Sequence, residues 1–277
     1  VSASDDFRLT HPVEAPRFVR PERVTGRDPY RVPGPAVVSV SGGRTSAYML
    51  RRVLDAHGGR LPADVHAVFA NTGEEDSRTL DFVRDLAERW CPITWVEYDS
   101  KAEGKWRQVT YETACRKGEP FADVCVTNLA LPNGRMRFCT QRLKLKPMQR
   151  FMQSRGYGDD WTNVVGLRAD EPSRVATLRA RESAWDVACP LYDAGATKAT
   201  VLDFWAAQDF DLQTPSDMGN CVQCFLKGRA IRERVAASIP EPFERWAALE
   251  AERGKTFLHS EPEGYAGTLR RVRSAVR

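Results

Sequence analysis

The residues that could do chemistry in this chain are a hydroxyl- and glycine-rich turn, two clusters of cations, and cysteines at metal-ligand spacing. The turn is Ser41-Gly42-Gly43-Arg44-Thr45-Ser46. Its glycines let backbone N–H groups come close to a ligand, and a helix starting behind them adds partial positive charge. Ser41, Thr45 and Ser46 add hydroxyl donors, with Ser39 and Arg44 beside them. Such a cradle suits an anion, phosphate above all. It matches neither G-x-x-x-x-G-K-[ST] nor G-x-G-x-x-G. Taken alone, a Gly-Gly turn after a strand is also an ordinary tight connection.

The cations come in two places. Arg137, Arg142, Lys144 and Lys146 crowd into ten residues around Cys139-Thr140. They would be wasteful in a core, ordinary on a solvated helix face, and useful against phosphate. Gly166-Leu167-Arg168-Ala169-Asp170-Glu171, with Arg174 behind it, sets a guanidinium at the end of a strand, where bidentate anion binding is its strongest use. The bland alternative is a salt-bridged loop. Asn71-Thr72-Gly73 offers hydrogen bonds suited to adenosine or ribose, or is merely a turn leading into a capped helix. Cys221-Val222-Gln223-Cys224 is a redox pair, a metal half-site or coincidence. Seven cysteines, an odd count without a secretion signal, argue against a disulfide framework. Cys91 and Cys115 read as small buried hydrophobes.

The elements that must position these groups alternate. Strands are expected at Val37–Val40, 65–70, 93–98 and 161–167, with helices following the first turn and over 78–90 and 141–155. This pattern predicts an α/β fold, a doubly wound and mostly parallel sheet with ligands at the carboxyl ends of its strands. Beyond residue 191 the strand signal fades and helices are expected at 199–208, 227–237 and 240–253. The chain therefore divides into a Pro- and Arg-rich extended arm (1–35), a nucleotide-binding α/β domain (36–190) and a helical C-terminal lobe (191–277) carrying the C-x-x-C. Residues 101–135 read as irregular or as short helices, and the terminal LRRVRSAVR as a basic, solvated helix end ahead of a phosphate-backbone contact. A length of 277 residues permits this organisation, and a net charge of +4 permits a polyanionic partner without demanding one. No apolar run approaches the ~18 residues of a membrane span, and a signal-peptide core is missing, so a cytoplasmic enzyme is expected.

The strand followed by S-G-G-x-T-S resembles the pyrophosphate loop of the ATP pyrophosphatases, whose fold is adenine nucleotide alpha hydrolase-like (Rossmann-like). Asn71-Thr72-Gly73 resembles the N-T-G-x-E segment of that family. Arg137, Cys139, Thr140, Leu143 and Lys144 match R-x-C-T-x-x-L-K, and Gly166 to Arg174 match G-[IL]-R-x-[DE]-E-x-x-R. Together these resemble the phosphoadenosine phosphosulfate (PAPS) reductase-like branch. The resemblance implies ATP with Mg²⁺ bound by Ser39, Ser41 to Ser46, Asn71, Thr72, Gly73, Arg168, Glu171 and Arg174. It gives Ser41, Arg137, Lys144 and Arg168 the catalytic roles.

A single cysteine followed by C-x-x-C resembles the iron–sulfur members, implying a 4Fe-4S cluster, or zinc as the alternative, on Cys139, Cys221 and Cys224. A fourth ligand would be Cys189 or Cys125, unless one iron stays open. Sulfonucleotide reductases carry a later Glu-Cys-Gly-x-His segment. No cysteine follows Cys224 here, and Cys139-Thr140 stands where cluster-bearing reductases have paired cysteines. The pattern is closer to sulfur-inserting members that activate a nucleic acid with ATP. DNA phosphorothioation is expected ahead of tRNA thiolation, with a cysteine desulfurase as sulfur donor and a homodimer left open. PAPS reduction, and a non-catalytic nucleotide-binding subunit with a structural cluster, are the alternatives.

Overall fold

A computed structural model describes residues 28–275 apart from 182, 216, 217 and 220; most of the arm expected over 1–35 lies outside them. The sheet has six strands: β1 (Ala36–Val40), β2 (Val65–Asn71), β3 (Thr94–Tyr98), β4 (Trp106–Val109), β5 (Thr162–Val164) and β6 (Asp186–Ala188). Their order is β4-β3-β2-β1-β5-β6, parallel throughout except for the β3–β4 pair. β1 is central, so Val37, Val38 and Val40 are buried whichever face they point to.

β4 and β6 were not expected. β4 is an edge strand with two exposed residues, so no apolar alternation marks it. β6 is three residues long and partly exposed, too short for a period to show.

The helices are α1 (Arg44–Ala56), α2 (Ser77–Arg89), α3 (Glu119–Thr127), α4 (Phe138–Thr140), α5 (Lys146–Ser154), α6 (Pro172–Arg179), α7 (Pro190–Asp193), α8 (Lys198–Ala206), α9 (Arg229–Ser238), α10 (Glu241–Arg253) and α11 (Gly264–Ala275). A π-helical turn, Gln141–Leu145, joins α4 to α5. Two of the starts are capped by side chains. Asp76 caps α2 by accepting from the Arg78 N–H, and Thr197 with Thr200 forms a capping box on α8. Among the described residues, no helix is long and apolar enough to cross a membrane.

Packing does not break at residue 190. Val201 and Trp205 of α8 and Leu212 share one apolar cluster with β1 and α1. A second cluster joins Phe121, Val124 and Cys125 of α3 and Leu143 to the last three helices. At its centre Trp246 stacks with both Phe121 and Phe257, with ring centroids 4.4 and 4.3 Å away. Such stacks add about 1 kcal/mol each beyond burial. The helical lobe is therefore fused to the sheet through α3 and the Cys139 segment.

Candidate functional site

After β4 the chain returns to the other side of β1, so the strand order reverses between β1 and β5. That is where an open α/β sheet leaves a crevice at its carboxyl edge. A cavity of about 500 Å³ lies there, lined by Ser39, Ser41, Gly43, Thr45 and Ser46 from the β1–α1 turn and by Gly166, Arg168, Glu171 and Arg174 after β5.

The turn is built by its own side chains. Ser46 Oγ accepts from the Ser41 N–H at 3.0 Å and donates to the Gly43 carbonyl at 3.0 Å. Gly42 has φ +74°, and a Cβ there would stand 2.4 Å from Thr79 Cγ2. Gly43 faces open space, since the nearest atom to a Cβ would be Ser41 Oγ at 3.7 Å. One glycine is needed for the backbone conformation and the other for access.

Arg168 lines the cavity. Its Nε donates to Asp170 at 2.8 Å, and its other arm donates to Thr45 Oγ1 at 3.3 Å. Glu171 accepts from the Arg168 N–H at 3.1 Å and also pairs with Arg174. Arg174 itself is exposed apart from that pair. Lys198, at the start of α8, adds an exposed ammonium to the lining. Sequence reasoning missed it, because only the packing of α8 on α1 brings it to the cavity.

Several expected contacts fall elsewhere. Arg44 lines the cavity, but its guanidinium is taken: Asp211 accepts at 2.7 and 2.8 Å, and the Leu212 and Thr214 carbonyls accept at 2.5 and 3.3 Å. It is a strut that holds the 211–214 loop. Asn71, Thr72 and Gly73 do not line the cavity. Asn71 Nδ2 donates to Glu97 at 2.5 Å and to the Cys115 carbonyl at 2.8 Å. Thr72 is held by Glu75, its N–H at 3.0 Å and its Oγ1 at 2.8 Å. The β2 loop is an internal scaffold, with Asn71 and Thr72 no more than 1 % exposed.

That scaffold reaches the C-x-x-C. The Val222 N–H donates to the Glu74 carbonyl at 2.9 Å, and Glu75 bridges to Cys221. The buried Glu74 carboxylate accepts from Gln223 Nε2 at 2.6 Å, Trp246 Nε1 at 2.8 Å and Arg245 at 3.2 Å. Burial raises the Glu74 pKa, and these donors oppose it without cancelling it. No sequence signal marked Glu74 as the residue bolting the cysteine loop to the sheet.

Arg137 and Lys144 do not line the cavity either; both stand within electrostatic reach of Cys139. The Cys139 thiol feels Cys224, Cys221 feels Cys224, and Cys125 feels Cys139. Burial pushes the thiols of Cys139, Cys221 and Cys125 upward, that of Cys125 to about 12. Among the described residues, no three His, Cys, Asp or Glu side chains stand together closely enough to hold a metal ion. The donors nevertheless fit a thiolate-held group in kind, being soft and within electrostatic reach of one another.

Cys189 does not belong with them. It is buried in a separate cluster with Leu167 and Val175, and its charged neighbours are Arg179 and Asp193. Of the two cysteines expected as a further ligand, Cys125 stands near Cys139, and Cys189, at the start of α7 on the β6 side, does not. Cys91 is buried, but Cys115 is partly exposed, and its sulfur accepts from Arg107 at 3.1 Å.

Residues 35–193 match the phosphoadenosine phosphosulfate reductase domain, and the chain belongs to that family. Over 199 residues it is 37% identical to an uncharacterised nin-region protein of Escherichia phage lambda, covering 69% of this chain and 66% of that protein. An uncharacterised protein of Methanocaldococcus jannaschii is 30% identical over 149 residues, covering 54% of this chain and 26% of its own length. The chain thus spans just under two thirds of the first relative and about a quarter of the second. The U34-tRNA thiolase NcsA of Methanococcus maripaludis, solved with its [4Fe-4S] cluster, aligns over 87% of this chain and 72% of its own, at 12% identity and a TM-score of 0.41. A likeness that loose carries no weight here.

Proposed function

We propose that this chain is an ATP pyrophosphatase that activates a nucleic acid for sulfur insertion, with DNA as the acceptor ahead of tRNA. The observation that carries the reading is the cavity at the β1–β5 reversal, where the Ser41–Ser46 turn faces Arg168, Arg174 and Lys198 across about 500 Å³. Backbone N–H groups of the turn and the start of α1 would hold the β- and γ-phosphates. Attack by an acceptor oxygen on the α-phosphorus breaks the bond to pyrophosphate. Arg168, Arg174 and Lys198 then face the charge gathering on the leaving group. Mg²⁺ would supply further neutralisation on the same phosphates. Apolar Leu167, Val201 and Leu212 line the rest of the cavity and suit an adenine ring.

Cys139, Cys221 and Cys224, with Cys125 beside Cys139, would hold an iron–sulfur cluster, with zinc as the alternative. When bound, the cluster supplies a site to carry sulfur delivered by a cysteine desulfurase. The deciding experiment offers ATP and PAPS side by side to anaerobically purified protein, with and without DNA. Pyrophosphate release from ATP, together with iron and sulfide in the protein, is the expected result. A colourless protein that binds PAPS and ignores ATP overturns it.

A further inference from the structure

Between Asp123 and Asp159 the chain has seven cations, Arg135, Arg137, Arg142, Lys144, Lys146, Arg150 and Arg155, and not one carboxylate. Other acid-free stretches hold fewer cations, as 29–54 does with Arg31, Arg44, Arg51 and Arg52. The C-terminal helix α11 is the telling contrast. Arg270 pairs with Glu263, Arg271 with Glu233 and Glu261, and Arg273 with Glu244. Its basic run looked available in the sequence but is consumed within the fold. Among the described residues, no carboxylate pairs with Arg135, Arg137, Arg142 or Lys144.

The unpaired cations are displayed by a constructed tip. Asn133 is 3 % exposed, and its Oδ1 accepts from the N–H groups of Arg135 and Met136, both at 2.9 Å. The Asn133 N–H closes the turn onto the Met136 carbonyl at 3.1 Å. Arg135, Met136 and Arg137 are thereby set outward, with Arg142 exposed on the π-helical turn behind them. Met136, between Arg135 and Arg137, is 56 % exposed, and Leu129, earlier in the same segment and held at φ 50°, is 74 % exposed. The same segment carries Cys139, so the patch lies beside the thiols rather than at the nucleotide cavity.

We propose that this surface, centred on Arg135, Arg137 and Arg142 with Met136 and Leu129, docks the sugar–phosphate backbone of the nucleic-acid acceptor next to the cysteines. The inference rests on the reading of the acceptor as nucleic acid given above. Exposed guanidinium groups without internal carboxylate partners suit phosphate oxygens, and the exposed Met136 between two of them suits an apolar sugar face. An acidic protein would satisfy the charges but is the lesser match to a segment beside the thiols that would serve the acceptor.

The test is fluorescence anisotropy of the full chain with a labelled DNA duplex and a labelled tRNA, across a salt series. The variants are Arg135→Ala/Arg142→Ala and the control Arg60→Ala, an exposed arginine at the opposite, amino-terminal edge of the sheet. Wild-type binding should weaken steeply with salt. The double variant should bind about tenfold or more weakly and lose about two from the slope of log affinity against log salt, with its ATP affinity and melting temperature unchanged. Arg60→Ala should change nothing. If wild type binds nucleic acid and the double variant binds equally well, this surface is wrong while the acceptor class stands. If wild type binds neither nucleic acid, the acceptor class and this surface fall together. Binding of a polyglutamate chain that depends on Arg135 and Arg142, without nucleic-acid binding, assigns the surface to an acidic protein and overturns the proposal.

Discussion

Two loops leave the carboxyl edges of neighbouring parallel strands, and each leads into a helix. After β1 comes Ser41–Ser46, and after β2 comes Asn71–Asp76. Both are rich in hydroxyl, amide and glycine, yet the structure uses them in opposite ways. The first bonds mainly to itself and leaves its outer face on the cavity. The second is buried, with its polar atoms spent on Glu97, Glu75 and the cysteine loop. Polar composition at a strand end therefore marks a place where hydrogen bonds are needed. Whether a ligand or the protein supplies them depends on what packs above the loop. Above β1 lies the reversal of strand order; above β2 lie α3 and the C-x-x-C segment.

The sharpest way to break this contrast is Glu74→Ala. It strands the Gln223, Trp246 and Arg245 donors in the interior, and we expect a stability loss of about 3 to 5 kcal/mol in urea unfolding. ATP affinity in the folded fraction should stay within twofold. Glu74→Gln keeps an acceptor and should cost less than half as much. Arg168→Ala should show the reverse pattern. Losing a charged hydrogen-bonding partner for phosphate should cost roughly 2 to 3 kcal/mol of ATP affinity, near a hundredfold by calorimetry, with little change in unfolding midpoint.

The two glycines of the first loop divide along the same line. Gly43→Ala has room for its methyl group, so the protein should melt normally while binding ATP roughly tenfold more weakly, about 1.4 kcal/mol. Asn71→Ala should do the opposite, costing about 1 to 2 kcal/mol of stability with ATP affinity unaltered. A tenfold drop in ATP affinity for Asn71→Ala would put the second loop back in the nucleotide site.

The smallest expected effect is an acid dependence. Asp76 caps α2 and is held below its usual value of 3.8, first by its hydrogen bonds from the Arg78 side chain. A carboxyl lowered in the folded state stabilises fully above its unfolded value and loses that contribution as pH falls through the folded one. Arg78 is partly exposed, so solvent screens the pair and the contribution is about 1 kcal/mol at most. Asp76→Asn retains a competent cap and should flatten the fall in stability below about pH 4. An unchanged acid limb would mean that Arg78 contributes nothing.

How much was legible follows from how far each signal reaches. The buried strands β1, β2 and β3 and the amphipathic helices α1 and α2 write their periods into contiguous residues, because a strand covered on both faces must be continuously apolar. The Ser-Gly-Gly turn was legible for the same local reason: φ +74° at Gly42 and the Ser46 bonds are settled within six residues. The spacing of Arg168 and Arg174 was likewise local.

Other features were decided only by tertiary structure. Lys198 reaches the cavity because α8 packs on α1. Arg44 turns away because Asp211 and two carbonyls meet it. Cys189 and Cys125 are both single buried cysteines in sequence, yet only Cys125 ends beside Cys139. Residue types and their spacing set which groups could bear charge, donate or bend. The fold decided which of them met each other first, because a hydrogen bond or ion pair satisfied inside the protein is no longer available to a ligand.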